Sequence, residues 1–305
     1  IAQKLIADRD VLAVDGHWNS GVAIPASKVY AEQNLCMVSP ANTAVEITDR
    51  KLFNVNRICA RDDVQGPLGA DFAFQDLKAK SVFIIHDKTA YGQAIADEFK
   101  KRAKHNGMDI RGYEGITQGE SDFSAVLNKV AVVKPDVVYF GGIYPEGSLI
   151  IKQMQEKNIP AKFIGPDGMD NAEVVKIAGQ SAVGTYYTSP AADITGTPEG
   201  KDWAERFQAK FNKAPGNWSA YGYDAMSVIM EGLKKAINDN GGKKPTREQV
   251  CTAVRNLKDV KGITSVINFD SKGDNKGAKL YISEFKEAKY PPAVIREISA
   301  GDFKK

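Results

Sequence analysis

A short β-branched run, a polar turn and a stretch with helical spacing follow one another repeatedly through the first half of this chain. The runs are 11–15, 35–39, 81–86, 136–140 and 162–165. The turns after them are 16–21, 40–43, 87–92, 141–146 and 165–171. Strand, turn, helix in that order predicts a mostly parallel sheet with helices on its faces. The runs are continuously apolar rather than alternating, as expected of parallel strands covered on both sides. A helix is expected at the start of the chain, over 1–8, with Ile1, Leu5 and Ile6 on one face.

The later part reads as more helical. Thr197 before Pro198 predicts a cap and a first-turn proline, and Trp203, Phe207 and Phe211 recur at helical spacing. Trp203 is therefore read as core. A second apolar-faced helix is expected over 220–236, and Thr246 with Gln249 forms a capping-box pattern that opens a third. Two short strands, 265–269 and 279–285, are expected on either side of the glycine-rich turn 270–277. No long linker is visible, so two lobes would be joined by short crossings.

The 305 residues suffice for two ordinary domains. The apolar runs are too short to span a bilayer as helices. A formal charge of +3 is spread over 41 basic and 38 acidic residues, with no basic stripe, which argues against nucleic acid as a partner. The lysine-rich spots at 100–104, 243–244 and 304–305 read as solvated helix faces or ends. Cys36, Cys59 and Cys251 lack metal-ligand spacing. Cys36 and Cys59 are read either as buried small hydrophobes or as a disulfide, and Cys251 is odd in both cases. No metal or cofactor is expected. No dinucleotide fingerprint, phosphate loop, nucleophile elbow or zincin motif occurs, so enzyme chemistry is not expected either. His17 and His86 end strands without a nucleophile partner and read as structural, and His105 as solvated.

Ligands of open α/β sheets sit beyond the carboxyl ends of the strands. The turns there offer hydroxyls, free N–H groups, aromatics and few acids, a set suited to a small zwitterion. Asp167 is the acid favoured for an ammonium. Asp87 is followed at once by Lys88 and is read as neutralised there, and Glu146 as capping the helix after it. Ser20 and Thr43 have a plainer reading as helix N-caps, compatible with anion binding. Trp18, between His17 and Asn19 in a turn, reads as pocket wall.

The segments GHWNSGVAIPASKVY (16–30), MVSPANTAVEIT (37–48), RDDVQGP (61–67), IIHDKTAYGQ (84–93), GITQGESDFSAVL (115–127), DVVYFGGIYPE (136–146), FIGPDGMDN (163–171) and INFDSKGDNKG (267–277) follow one another over nearly the whole chain. Together they resemble the periplasmic binding proteins for branched-chain amino acids, of the leucine/isoleucine/valine type. The resemblance implies an α/β, two-lobed type I periplasmic-binding fold with the ligand cleft between the lobes. The first lobe would take 1–61 and 189–277, and the second 62–188 and 278–305. It implies a periplasmic, monomeric solute-binding protein that hands an amino acid to the permease of an ABC transporter.

Site residues carry over by position. Ser20 matches a serine on the ligand carboxylate. Ala41 and Thr43, with Asn42 between them, match the turn that grips carboxylate and ammonium. Asp167 matches a glutamate that meets the ammonium and is one methylene shorter. Tyr91 matches a tyrosine that covers the ligand, and Trp18 and Trp218 match side-chain-pocket positions. The family tyrosine after the paired glycines aligns with Ile143, and Tyr144 follows it, so both stay candidates for the cleft. A family half-cystine aligns with Asn19, so that bridge is not expected. The family begins with a strand, helix and strand that this sequence lacks, and the natural polypeptide is expected to extend further at its N-terminus. Two other readings are a sensor of the same fold for an amide, urea or aromatic acid, and an α/β enzyme using His17 or His86.

Overall fold

Buried β-branched runs become strands, and polar turns start helices. The structure, a computed structural model, describes residues 1–303. In chain order it begins with α1 (Ala2–Ala7), β1 (Ala13–Asp15), α2 (Ser20–Ala31), β2 (Cys36–Ser39), α3 (Glu46–Asp49) and β3 (Val55–Arg57). Next come α4 (Asp62–Gln75), β4 (Ser81–His86), α5 (Gly92–His105), β5 (Asp109–Gly115), α6 (Ser124–Val133), β6 (Val137–Gly141), α7 (Tyr144–Glu156), β7 (Lys162–Gly165), α8 (Glu173–Ala178) and β8 (Tyr186–Ser189). The last are α9 (Pro198–Phe211), α10 (Ser219–Asp239), α11 (Arg247–Arg255), β9 (Val260–Lys261), β10 (Val266–Ile267), β11 (Lys279–Glu284) and β12 (Ala293–Ser299).

The described residues divide into two units. Unit 1 comprises Ile1–Ala60, Asp193–Lys279 and Ser299–Gly301, and unit 2 comprises Arg61–Ala192, Leu280–Ile298 and 302–303. Unit 1 holds the parallel sheet β1-β2-β3, with Val14 opposite Met37 and Val38 opposite Asn56. Tyr30, Leu35, Met37, Ile47 and Val55 form its core beneath α2. Unit 2 holds a seven-stranded sheet in the order β12-β11-β8-β7-β6-β4-β5. Its β8, β7, β6, β4 and β5 run parallel, and β11 joins antiparallel to β8. Phe83, Leu127, Phe140, Phe163 and Tyr187 are among its core residues.

Helix starts follow the local chemistry. The Thr197 hydroxyl accepts from the Gly200 amide, with Pro198 in the first turn of α9. Thr246 and Gln249 close a reciprocal capping box on α11. No helix among the described residues is long and apolar enough to cross a membrane.

Five strands, β3, β5, β8, β9 and β12, escape a pattern search based on apolar runs. In β3, Asn56 and Arg57 are buried polar residues, and β5 and β12 lie at the sheet edges with exposed or charged positions. In β8, Tyr186, Thr188 and Ser189 dilute the apolar signal. The 265–269 expectation shrinks to β10, which pairs with β9, whereas β11 belongs to the large sheet of unit 2. All three cysteines are buried thiols, so Cys36 and Cys59 are not bridged.

Candidate ligand-binding site

The candidate residues form one group in each unit, built on turns that leave the carboxyl ends of parallel strands. In unit 1, β1 leads into the 16–19 turn before α2, and β2 leads into the 40–45 turn before α3. Asn42 locks these two turns together. Its Oδ1 accepts from the His17 amide at 3.0 Å and from the Ser39 hydroxyl at 2.8 Å, and its Nδ2 donates to the Trp18 carbonyl at 2.8 Å. Asn42 is thus a positioning residue whose side chain is engaged within the protein.

Ser20 and Thr43 are not helix caps, contrary to the plainer reading. Asn19 occupies the cap position of α2, and Ser20 is the first helical residue. The Ser20 hydroxyl accepts a long 3.4 Å bond from the Ala44 amide. Thr43 precedes α3, whose cap position is Val45. The Thr43 hydroxyl is fully buried and has no hydrogen-bond partner among the described residues. An unsatisfied buried hydroxyl costs about 1–3 kcal/mol, which a polar ligand atom would relieve. Ala41 is buried beside it.

The missed residue in this group is Arg57, at the end of β3. It is fully buried, and its Nη1 donates to the Asn42 and Ala44 carbonyls at 2.9 and 2.8 Å. Its other edge meets Asp274 Oδ1 at 2.7 and 3.0 Å and Thr48 Oγ1 at 2.8 Å. Arg57 holds the 42–44 turn from behind. The nearby Trp18 ring meets Trp218 edge-on at 5.5 Å, and Trp218 in turn contacts Tyr221. Trp218 is buried, whereas Trp18 is 59% exposed, an unusual state for so large an apolar surface.

In unit 2 the centre is Asp167, just beyond β7 and 9% exposed. Its Oδ1 accepts from the Tyr91 hydroxyl at 2.6 Å and from Gln65 Nε2 at 2.8 Å. The Tyr91 hydroxyl accepts from the Gly168 amide at 3.0 Å. Gln65, on α4, also donates to the Thr188 carbonyl at 3.0 Å. Burial pushes the Asp167 carboxyl up to about 6, opposed by the donated hydrogen bonds. Burial and the acids Asp167 and Asp62 hold the Tyr91 and Tyr139 hydroxyls protonated far above the usual range. Among the described residues no cation pairs with Asp167. Gln65, on the far side of the sequence from Asp167, is a second residue that motif reading missed.

The other acids have different roles from those expected. Asp87 is buried, and its Oδ1 accepts from the Thr89 amide and hydroxyl at 2.9 and 2.7 Å, so its hydrogen bonds come from Thr89 rather than Lys88, while its Oδ2 has no partner among the described residues. Glu146 does not cap α7. Its Oε1 accepts from the Gly119 amide at 2.8 Å, which ties down the 117–122 loop. Of the neighbours Ile143 and Tyr144, Tyr144 opens α7 and packs against the unit 2 core. Ile143 lies against the Asp167 turn, since a β-carbon on Gly168 would stand 3.0 Å from its Cγ2.

The histidines are structural. His17 Nε2 bonds the Tyr30 hydroxyl at 3.0 Å, and His86 Nδ1 accepts from the Lys88 amide at 3.2 Å. Burial lowers the proton affinity of both. His105 is exposed. Among the described residues no cluster of His, Cys, Asp or Glu is arranged to hold a metal ion.

Parallel sheets flanked by helices, with a buried unpartnered hydroxyl in the turns of one unit and a buried carboxylate without a cation partner among the described residues in the other, fit a solute-binding protein. The chain belongs to the periplasmic binding protein family, whose sequence model matches residues 1–289. It is 38% identical over 277 residues to the Leu/Ile/Val-binding protein homolog 1 of Brucella suis, covering 90% of this chain and 72% of that protein. It is 34% identical over 288 residues to an amino acid binding protein of Pseudomonas aeruginosa, covering 93% of this chain and 74% of that one. Among solved structures, the leucine binding protein LivK of Thermotoga maritima superposes with a TM-score of 0.90 at 27% identity, covering 99% of this chain and 84% of that chain.

Proposed function

We propose that this protein is the extracytoplasmic solute-binding component of an ABC importer and carries a branched-chain or related hydrophobic amino acid. The observation that carries this reading is Asp167: a buried carboxylate, held by Tyr91 and Gln65, with no cation against it among the described residues. A buried anion of this kind is costly until a counter-charge arrives, and a ligand ammonium supplies one. In unit 1, the Ser20 and Thr43 hydroxyls and the amides of the 41–44 turn take the ligand carboxylate. The Trp18 face, with Trp218 behind it, takes the apolar side chain. The names of the relatives, Leu/Ile/Val-binding and amino acid binding, support the same assignment. The protein binds its ligand as a monomer and passes it unchanged to a membrane permease, without cofactor or catalysis.

A thermal-shift screen of the twenty amino acids tests the reading, because a ligand that binds only the folded state raises the melting temperature. Leucine, isoleucine or valine should raise it. Calorimetry should find that 4-methylpentanoate, which keeps leucine's side chain and carboxylate but lacks the ammonium, does not bind. Melting unmoved by every amino acid would overturn the assignment.

A further inference from the structure

We propose that Tyr139 and Thr188 are positioning residues for the ligand-binding site: their hydroxyls, with the Gln65 side-chain carbonyl, hold ordered water that locks the Gln65 amide against Asp167. This role rests on the reading of Asp167 as the acid that meets a ligand ammonium. Gln65, Tyr139 and Thr188 are all fully buried in unit 2. Gln65 Oε1, the Tyr139 hydroxyl and the Thr188 hydroxyl each lack a hydrogen-bond partner among the described residues. One packed layer carries all three. Gln65 and Gly69 stand one turn apart on α4, and Gln65 Nε2 donates to the Thr188 carbonyl at 3.0 Å. A β-carbon on Gly69 would stand 3.6 Å from Thr188 Cγ2 and 3.4 Å from the Phe99 ring. The Tyr139 ring stacks on Phe99 with centroids 3.8 Å apart. Its hydroxyl is held protonated by burial and by the charges of Asp62 and Asp167, which places that end of the ring toward the same acids.

Unpartnered buried polar atoms are costly unless something satisfies them. Water fits this set. It accepts the protons of the two hydroxyls and donates to Gln65 Oε1, which can only accept. About three hydrogen bonds is the usual complement of a buried water. A metal ion would leave the hydroxyl protons without an acceptor. The consequence falls on Gln65, whose Nε2 is committed to Asp167 Oδ1 at 2.8 Å and to the Thr188 carbonyl at 3.0 Å. A flipped amide would turn its oxygen toward the carboxylate, and water on Oε1 fixes the opposite orientation. Loss of the hydroxyls should therefore loosen Gln65, and a weaker donor raises the Asp167 carboxyl further. The titratable groups around this cluster are Asp62 on α4, Tyr139 on β6 and Tyr91, which keeps its own bond to Asp167 at 2.6 Å.

A crystal structure of the ligand-free protein tests the water directly. Ordered water is expected within hydrogen-bond distance of Gln65 Oε1 and the two hydroxyls. A dry site, or a peak with the coordination of a metal ion, would overturn the proposal. Hydroxyl deletions test the role. Deleting a hydroxyl that nothing satisfies should leave stability unchanged or raise it, whereas deleting one that holds water should lower Tm, by roughly 2–4 °C. Tyr139→Phe and Thr188→Val are expected to lower it. Carboxyl NMR of these ligand-free variants should find Asp167 titrating at higher pH than in the unsubstituted protein, and Thr188→Ser should restore the original midpoint. A midpoint that stays put in both variants would reduce the two residues to packing and sink the proposal. None of these readouts needs a ligand, so they decide the proposal even if the amino-acid assignment fails. With leucine, the pH at which affinity declines should move upward in step.

Discussion

The Tyr91 hydroxyl donates to Asp167 Oδ1 at 2.6 Å while accepting the Gly168 amide at 3.0 Å. One phenol thus fixes both the carboxylate and the turn that carries it. Gln65 donates to the same oxygen, so the Asp167 side chain is oriented before any ligand arrives. Preorganisation of this kind spares binding the cost of ordering the acid.

Asp167→Asn should keep both hydrogen bonds at the acceptor oxygen but remove the charge. Leucine affinity should fall by about 2–5 kcal/mol, the range for losing one partner of a buried charge pair. Calorimetry at neutral pH checks this, and unchanged affinity would remove Asp167 from the binding site.

Affinity should depend on pH through the same group. The Asp167 carboxyl, raised from 3.8 to about 6 by burial, is anionic above that value and neutral below it. An ammonium ligand needs the anion, so binding should weaken by up to about tenfold per pH unit as pH falls below about 6. Without ligand the sign reverses. A folded value above the unfolded one contributes stability that is complete below about 3.8 and lost as pH rises through about 6. Asp15, raised to about 6 by burial on β1, acts in the same direction. Melting curves with and without leucine across this window should therefore show the gap between them widening as pH rises.

Gln65→Leu removes a donor from Asp167 and leaves the Thr188 carbonyl without this bond. Loss of a hydrogen bond to the charged form raises a carboxyl's pKa. The pH at which leucine affinity declines should move upward from its value in the unsubstituted protein. A purely structural role would lower stability and leave that midpoint where it was.

Arg57→Ala should destabilise the fold by about 3–5 kcal/mol, because Asp274 loses its buried partner and two carbonyls lose theirs. Denaturant unfolding measures the loss. Any protein that still folds should bind leucine less tightly, since the 42–44 turn is no longer held.

Trp18→Ala should behave in the opposite way. The indole is 59% exposed, so stability should change by less than about 0.5 kcal/mol. Affinity for hydrophobic amino acids should drop, and calorimetry with leucine and alanine should show the larger ligand losing more.

Much of the architecture is legible from the strand–turn–helix recurrence, because fully buried strands such as β4 and β6 are continuous apolar runs. The capping signals at Thr197 and Thr246 are equally local and equally legible. β3 is not, because its residues Asn56 and Arg57 are buried for hydrogen bonding rather than for apolarity. The candidate residues in turns stand out by chemistry and by order along the chain. Their supports do not: Gln65 lies 102 residues from Asp167, and Arg57 lies 217 from Asp274. No local pattern encodes such pairings. The plainer reading of Thr43 as a cap fails for a related reason, since a helix three residues further on sets where the cap falls.

Arg57 also has a bearing on how the protein matures. The 42–44 turn, proposed to grip a carboxylate, is laid down before its anchoring guanidinium is fixed, since Asp274 is made 217 residues after Arg57. On a ribosome or during export, the early turns remain unsupported until that late stretch emerges. Competence to capture solute should then appear only after residue 274 has emerged.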